Sequence, residues 1–293
     1  MYKLAKQYAA LTRISNLPTC WTNVLTGCAI GSAGACEPVA ILPVIILSVI
    51  ISLFYMAGMA LNDLVDVKID REQRPDRPIA SGRISPRAAL IFIVILFAAA
   101  FVLLLVYYRH CMYLAMLLTA MIVLYDITHK RFWYSIVFMA WCRALIYIIS
   151  ACAVSGAGTR AFSTDIVIAS AILGLYIAFI TLIGRSENIE QLDKRRWLSI
   201  AIMLLVPAAF ALSLPATVYP CIIALVLLII LSRAALLAFA EPPQIKQAVL
   251  TWLACICLLD CLLLAVLATP VPAAIAALCF VVVTLSHRKI GGT

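Results

Sequence analysis

Long apolar runs separated by short polar segments dominate the pattern of this chain. Ten runs have about the length that a helix needs to cross a bilayer. They cover residues 18–34, 39–61, 87–107, 110–126, 132–154, 163–184, 197–214, 217–240, 247–268 and 271–286. Because backbone N–H and C=O groups must be paired in lipid, such runs predict helices. We therefore expect an all-α polytopic membrane protein, with residues 1–293 forming one transmembrane domain of nine to ten helices.

Composition and charge placement agree with this expectation. The chain is 66% hydrophobic and 12% charged, whereas soluble domains carry about 25% charged residues. Its net charge of +9 could suggest nucleic-acid binding. With a cytoplasmic N-terminus and ten spans, however, 19 of the 22 lysines and arginines fall on the cytoplasmic side and two on the other, while Arg143 lies within a span. This positive-inside asymmetry predicts a bacterial-type inner or plasma membrane protein whose partner is the lipid bilayer and not nucleic acid.

Two further features of the pattern concern the span number and the thiols. The basic pair Arg288 and Lys289 near the C-terminus favours an even number of spans, hence ten. Nine spans fit if one of the last segments is re-entrant or interfacial. The 11 cysteines are scattered through the apolar runs and contain no Cys-x-x-Cys pair, so we expect buried thiols that act as small hydrophobes, with neither a disulfide framework nor a zinc site.

The polar segment after the second run concentrates acidic residues. If the helix of that run continues through residue 70, then Asp63, Asp66 and Asp70 are spaced i, i+3 and i+7, and Asn62 precedes Asp66 by four. All four side chains would share one helical face. Since like charges at this spacing repel, protonation or a cation must relieve them. Oxygen ligands favour Mg²⁺ or Ca²⁺, and Mg²⁺ typically combines few carboxylates with phosphate oxygens.

Basic residues follow the acidic ones directly. Arg71, Arg74 and Arg77 provide forked donors suited to phosphate, and two prolines end the helix and favour an extended loop. Carboxylates for a metal, followed by arginines for phosphate, predict a diphosphate-binding site. The simpler alternative, a solvated cytoplasmic loop, leaves three acids on one helical face unexplained.

These residues carry a resemblance to a known family. The pattern Asn62-Asp63-x-x-Asp66-x-x-x-Asp70, followed by Arg74-Pro75-x-Arg77-Pro78-Ile79-x-Ser81-Gly82, resembles the first aspartate-rich motif of the UbiA superfamily of intramembrane prenyltransferases. The resemblance implies a helical bundle around a central lipid-open cavity, and Mg²⁺-dependent transfer of a prenyl group from an isoprenoid diphosphate to a small aromatic or polar acceptor. It also implies a metal–diphosphate site at Asn62, Asp66 and Asp70, with Asp63 beside them, and with Asp66, Asp70 and Arg74 in catalytic positions.

Other segments fit the family more loosely. Tyr125 with Lys130 and Arg131 resembles a tyrosine and basic pair that would face diphosphate, although such cations also serve as topology signals. Glu187 and Glu190 occupy the place of the family's second aspartate pair. They are expected either to bind a second metal ion or to pair with neighbouring basic residues on a surface helix.

Two charged residues are predicted to lie deep in the membrane. Arg143 and Asp260 could form a structural ion pair, or Arg143 could bind an anionic acceptor or diphosphate. Cys142-Arg143-Ala144-Leu145, together with the Arg185-Ser186-Glu187 ending, resembles the EboC-like branch of the superfamily, which leaves the acceptor open. An alternative function is a non-catalytic protein of the same fold that binds or transports isoprenoids.

Overall fold

The computed structural model describes residues 2–33, 39–156, 162–185, 218–240 and 243–289. Within these ranges the chain is helical and has no strand, as the sequence predicts. The α-helices are α1 (Tyr2–Leu11), α2 (Leu17–Ala33), α3 (Ile41–Val65), α4 (Val67–Gln73), α5 (Pro86–Tyr108), α6 (Met112–Thr128), α7 (Ser135–Ser155), α8 (Thr164–Gly184), α9 (Val218–Ala238), α10 (Ile245–Val266) and α11 (Pro270–Lys289).

Local capping residues explain several of these boundaries. Ser85 precedes α5 and its side chain accepts a hydrogen bond from the backbone N–H of Ala88, while Pro86 occupies the first turn. Ser163 caps α8 in the same way. Gly156, at the C-terminal end of α7, has φ of 77°, a left-handed conformation that glycine adopts without strain. Such signals place the helix ends within a few residues of the predicted spans.

The helices form a membrane-embedded bundle. Seven helical stretches among the described residues are long and apolar enough to cross a bilayer, and one of them, Pro86–Thr128, contains both α5 and α6. The outer faces carry many exposed aliphatic side chains, such as Val106 at 68% and Ile91 at 61% exposure, which lipid accommodates and water does not. The protein is therefore a multi-pass integral membrane protein. The predicted span 197–214 lies outside the described residues.

Close packing of α2 against α7 sets the interior of the bundle. A Cβ atom at Gly27 would lie 2.6 Å from the carbonyl oxygen of Tyr147, and one at Gly31 would lie 2.8 Å from that of Ala151. The two glycines are four residues apart, so they let the two backbones approach along one helix face. This contact brings Asn23 of α2 beside Arg143 of α7.

The acidic segment departs from the single helix assumed above. Helix α3 ends at Val65, Asp66 caps it with φ −80° and ψ 0°, and α4 begins at Val67. Hydrogen bonds from the N–H of Asp66 to the carbonyl of Asn62 (3.0 Å) and from that of Asp70 to the carbonyl of Asp66 (2.9 Å) continue through the break. The helix assumed to be unbroken through residue 70 is therefore interrupted at the single residue Asp66, while its hydrogen-bond ladder continues on both sides.

Candidate functional site

A cavity of about 320 Å³ lies at the end of the bundle where α1 meets α2 and where α3, α6 and α8 end. Its polar lining comes from these helix ends, from the loop after α4 and, for Arg143, from the middle of α7. Its apolar lining comes from residues further along the helices. The charged, amide and imidazole residues are Arg13, Asn16, Asn62, Asp66, Arg74, Arg77, Asp126, His129, Lys130, Arg143 and Arg185, and the apolar ones include Ile51, Phe54, Leu118, Ile122, Ile177 and Ile180. Ile51 precedes Asn62 by 11 residues, about 16 Å along a helix.

Arginine side chains neutralise two of the aspartates. Arg77 Nη1 donates to Oδ1 of Asp63 at 3.0 Å and to Oδ2 of Asp70 at 2.7 Å. Arg13 Nη2 donates to the same Oδ1 of Asp63 at 3.1 Å. Both carboxylates are nearly buried, with side-chain exposure of 4%. The predicted repulsion between the acids is thus relieved in this structure by Arg77, which bridges them, and by Arg13.

Asp66 faces a different set of cations. His129 Nε2 donates to its Oδ2 at 3.1 Å, and Lys130 Nζ lies 3.5 Å from the same oxygen. Burial acts to raise the pKa of Asp66, but the His129 hydrogen bond and the charges of His129, Lys130 and Arg77 outweigh it, so that the pKa lies below its ordinary value. Asp66 is therefore a carboxylate at neutral pH.

His129 is a site residue that the sequence analysis missed. Its Nδ1 lies 3.0 Å from the backbone carbonyl oxygen of Asp126, and its ring stacks on Tyr125 with centroids 5.1 Å apart. The two residues are four apart on one helix face. The predicted basic pair, Lys130 and Arg131, comes one and two residues later. Lys130 lines the cavity, whereas Arg131 is exposed.

Asp126 was also missed, although an acid at the end of an apolar run is a visible signal. Asn62 Nδ2 donates to its Oδ1 at 3.1 Å. Both side chains are buried, at 8% exposure for Asn62 and 3% for Asp126. Asp126 Oδ2 has no hydrogen-bond partner, although the residue lines the cavity. A buried carboxylate oxygen without a partner is costly, so this atom is suited to a cation.

Arg185 fixes the turn that carries His129. Its Nη2 donates to the carbonyl of His129 at 2.6 Å, and its Nη1 donates to the carbonyls of Phe132 and Trp133 at 3.3 and 3.2 Å. It also donates to the hydroxyl of Ser135. The end of α8 therefore holds the connection between α6 and α7 through backbone acceptors, a role that no sequence motif signals.

The two charges deep in the bundle are linked indirectly. Arg143 Nη1 donates to Asn23 Oδ1 at 3.0 Å, and Asn23 Nδ2 donates to Asp260 Oδ2 at 2.8 Å. The hydroxyl of Tyr147 donates to the other oxygen of Asp260. Asn23 thus stands between the two groups that were considered as a direct ion pair. Arg143 also lines the cavity and lies 5.6 Å from the ring centroid of Tyr55.

The structure brings most of the predicted site residues together. Six of them line the cavity: Asn62, Asp66, Arg74, Arg77, Lys130 and Arg143. Asp63 and Asp70 are held beside it through Arg77. The predicted second acidic group, Glu187 and Glu190, lies outside the described residues.

The oxygen donors fit a hard divalent cation. The carboxylate of Asp66, the unpartnered oxygen of Asp126 and the amide oxygen of Asn62, whose Nδ2 is bonded to Asp126, belong to one cavity lining. Carboxylate and amide oxygens without thiolate suit Mg²⁺ or Ca²⁺. Arg74 and Arg77 in the same lining can bind phosphate oxygens with forked N–H groups. The cavity can therefore accept a metal-bound diphosphate whose apolar tail lies along the aliphatic lining.

Solved structures share this fold. A UbiA homologue from Aeropyrum pernix K1 superposes with a TM-score of 0.65 at 16% identity, over 91% of this chain and 96% of that one. A UbiA homologue from Archaeoglobus fulgidus bound to GPP and Mg²⁺ superposes with a TM-score of 0.58 at 14% identity, over 89% and 99% of the two chains. The likeness extends over nearly the whole length of both proteins.

Curated sequences match over shorter stretches. A digeranylgeranylglyceryl phosphate synthase from Methanothrix thermoacetophila is 45% identical over 83 residues, which is 28% of this chain and 31% of the relative. One from Sulfolobus acidocaldarius is 30% identical over 97 residues, 33% and 34% of the two chains. The chain thus spans about a third of the length of these relatives. The family model described as the UbiA prenyltransferase family matches residues 20–249, and on that match the chain belongs to this family.

Proposed function

We propose that this protein is a Mg²⁺-dependent intramembrane prenyltransferase, which transfers a prenyl group from an isoprenoid diphosphate to a small acceptor. The observation that carries the proposal is the composition of one cavity. At the helix ends it joins oxygen donors to arginines, and further along the same helices it is lined by aliphatic side chains. A prenyl diphosphate has the same two parts, a charged head and an apolar tail.

Three residues of the first motif, Asn62, Asp66 and Asp70, would hold Mg²⁺, and the predicted second group of Glu187 and Glu190 would hold a further ion. When bound, Mg²⁺ would neutralise the negative charge that grows on the diphosphate as it leaves. Asp63 acts differently, because both Arg13 and Arg77 donate to it. It positions these arginines at the cavity.

Asp126 positions Asn62 in this proposal. The hydrogen bond from Asn62 Nδ2 to Asp126 Oδ1 leaves the amide oxygen as the Asn62 atom that can ligate a metal. Partners that orient a metal ligand in this way contribute strongly to metal affinity. The free Oδ2 of Asp126 adds an oxygen donor to the same cavity.

The cations of the cavity act on the diphosphate itself. Arg74, Arg77 and Lys130 line the cavity and would bind the oxygens of the diphosphate. Arg77 would then replace part of its contact with Asp70 by a contact with the diphosphate. The allylic C–O bond then breaks with its electron pair passing to the diphosphate, because positive charge stabilises that oxygen. The acceptor's nucleophilic atom bonds to the allylic carbon and its proton is released.

The apolar lining protects the reacting carbon. Side chains such as Ile51, Phe54 and Leu118 exclude water, which would otherwise capture the allylic cation. Arg143 lies in the same lining, and its contacts with Asn23 and Cys20 are both made by Nη1, so that Nη2 and Nε can face a ligand. We propose that it binds an anionic group of the acceptor. The placement of basic residues favours a cytoplasmic N-terminus and cavity.

A donor assay on the purified protein tests this function. Labelled isoprenoid diphosphates are incubated with the protein, candidate acceptors, and either Mg²⁺ or EDTA. The proposal predicts Mg²⁺-dependent release of diphosphate and a prenylated product. Tight binding of intact donor without release, across acceptors and in the presence of Mg²⁺, would contradict it and support a non-catalytic isoprenoid-binding protein.

A further inference from the structure

A second cluster of metal-ligating side chains lies at the opposite end of the bundle. Helix α5 ends at Tyr108, a short 3-10 turn covers Arg109–Cys111, and α6 begins at Met112. Cys152, near the end of α7, packs against this turn. Because α6 runs from this turn to His129 at the cavity, 18 residues separate Cys111 from His129, which corresponds to about 27 Å along the helix. The cluster is therefore separate from the diphosphate site.

Three ligand atoms meet in this cluster. His110, Cys111 and Cys152 each offer one, and these atoms all lie within 4.8 Å of one another. The two cysteines are buried, at 0% and 6% exposure, while His110 is partly exposed. The 40 residues between the cysteines explain why spacing along the chain predicted no such site.

A backbone contact orients the histidine. His110 Nε2 donates to the carbonyl of Cys152 at 3.1 Å, which leaves the lone pair on Nδ1. Ligating histidines commonly donate their other ring N–H to a backbone carbonyl in this manner. The thiol of Cys111 contacts the carbonyl of Ile149 at 3.8 Å and the thiol of Cys152, so the two sulfurs already face each other.

The ligand set defines the chemistry of the ion. Thiolate and imidazole favour thiophilic cations such as Zn²⁺ or Cu⁺ over Mg²⁺. In a tetrahedral zinc site, with Zn–S of about 2.3 Å and Zn–N of about 2.0–2.1 Å, the ligand atoms lie roughly 3.5–3.8 Å apart. The cluster approaches this spacing and needs shifts of about 1 Å at most to reach it, a movement that side-chain rotation of the three residues can supply.

We propose that His110, Cys111 and Cys152 bind one thiophilic cation, Zn²⁺ or Cu⁺, which fastens the end of α7 to the turn between α5 and α6. Binding displaces the two thiol protons to solvent and leaves the imidazole neutral. Three ligands from the described part of the chain leave one position for water or a further ligand. The site is structural, since its distance from the cavity keeps the ion away from the donor.

Spectroscopic titration of the purified full-length protein tests the proposal. After treatment with a chelator and a reductant, the protein is titrated with Co²⁺, a spectroscopic substitute for Zn²⁺. We expect one equivalent to bind with thiolate-to-metal absorption, and excess Mg²⁺ not to displace it. Cys111→Ser and Cys152→Ser should each abolish the absorption, whereas Cys221→Ser, which changes an exposed cysteine, should retain it.

A measurement on the unmodified protein covers the case in which the serine variants do not fold. X-ray absorption at the zinc edge of the zinc-loaded protein should give two sulfur ligands at about 2.3 Å. A titration with Cu⁺ under anaerobic conditions identifies which of the two cations binds more tightly. Absence of thiolate absorption in the wild type, a shell of only nitrogen and oxygen, or a Cys111–Cys152 disulfide in freshly isolated protein would overturn the proposal.

Discussion

The bond between Asn62 and Asp126 allows a quantitative prediction for metal binding. Replacement of Asp126 by alanine removes the acceptor of a 3.1 Å hydrogen bond between two buried side chains. Beside a bound cation Asp126 would be ionised, and a hydrogen bond to a charged group contributes about 1.5–3 kcal/mol. If this bond serves to hold the Asn62 amide oxygen towards the metal, its loss weakens Mg²⁺ binding by about 10- to 100-fold, since about 1.4 kcal/mol corresponds to a factor of ten.

Asp126→Asn separates orientation from charge. The new amide can still accept from Asn62, but a neutral bond contributes only about 0.5–1.5 kcal/mol. We therefore expect a smaller loss, up to about tenfold. Asp165→Asn is the matched control, because Asp165 is exposed in the first turn of α8, at the far end of that helix from the cavity.

Binding can be measured without turnover. Mn²⁺ replaces Mg²⁺, and electron paramagnetic resonance counts the free ion in the presence of a non-reactive thiodiphosphate analogue of the donor. The expected order of affinity is wild type and Asp165→Asn together, then Asp126→Asn, then Asp126→Ala. Affinity of Asp126→Ala within about twofold of the wild type would refute the orienting role, and equal losses in the two Asp126 variants would assign the effect to charge.

Three other predictions concern stability. Arg77→Met removes one partner from each of two nearly buried carboxylates and should lower the free energy of unfolding by about 3–5 kcal/mol when a chelator is present. Arg13→Met should cost less because Arg77 still donates to Asp63. Equal losses of unfolding free energy in the two variants, measured by denaturation in detergent, would contradict the bridging role. Since the pKa of Asp66 is below its ordinary value, the ionised side chain stabilises the fold above about pH 4, and this stabilisation is lost as the pH falls further. The difference in melting temperature between wild type and Asp66→Asn should therefore be constant above about pH 5 and shrink below about pH 4. A difference that grows on acidification would be inconsistent with a lowered pKa. Gly27→Ala should destabilise by about 1–3 kcal/mol, since its Cβ would meet a carbonyl oxygen at 2.6 Å, whereas Gly174→Ala, with 3.6 Å of space, should be nearly neutral in the same melting experiment.

The sequence predicts the helices well because their signals are local. The run 87–107 corresponds to Pro86–Tyr108 and the run 163–184 to Thr164–Gly184, since a capping serine precedes each helix and an uninterrupted apolar stretch sets its length. The helix Tyr2–Leu11 was not predicted, because a short segment with a few charges gives no membrane signal. The interruption at Asp66 was not predicted either, since no proline or glycine marks it.

The residues of the candidate site fall into the same two groups, those that local sequence predicts and those that it does not. Asn62, Asp66, Arg74 and Arg77 belong to one contiguous motif, and the sequence predicts them as a group. Their partners come from other helices: Asp126 is 64 residues from Asn62, and His129 is 63 residues from Asp66. Such pairs arise from tertiary packing, as does the cysteine–histidine cluster, and no spacing rule for a single helix could identify them.

The central claim is that the first motif supports Mg²⁺-dependent prenyl transfer. The most direct test is the rate of diphosphate release from a labelled donor by the double variant Asp66→Asn, Asp70→Asn, compared with the wild type and with Asp165→Asn at equal amounts of folded protein in detergent. The account predicts that the wild type and Asp165→Asn turn over with Mg²⁺ and that the double variant does not. Undiminished turnover by the folded double variant would contradict it.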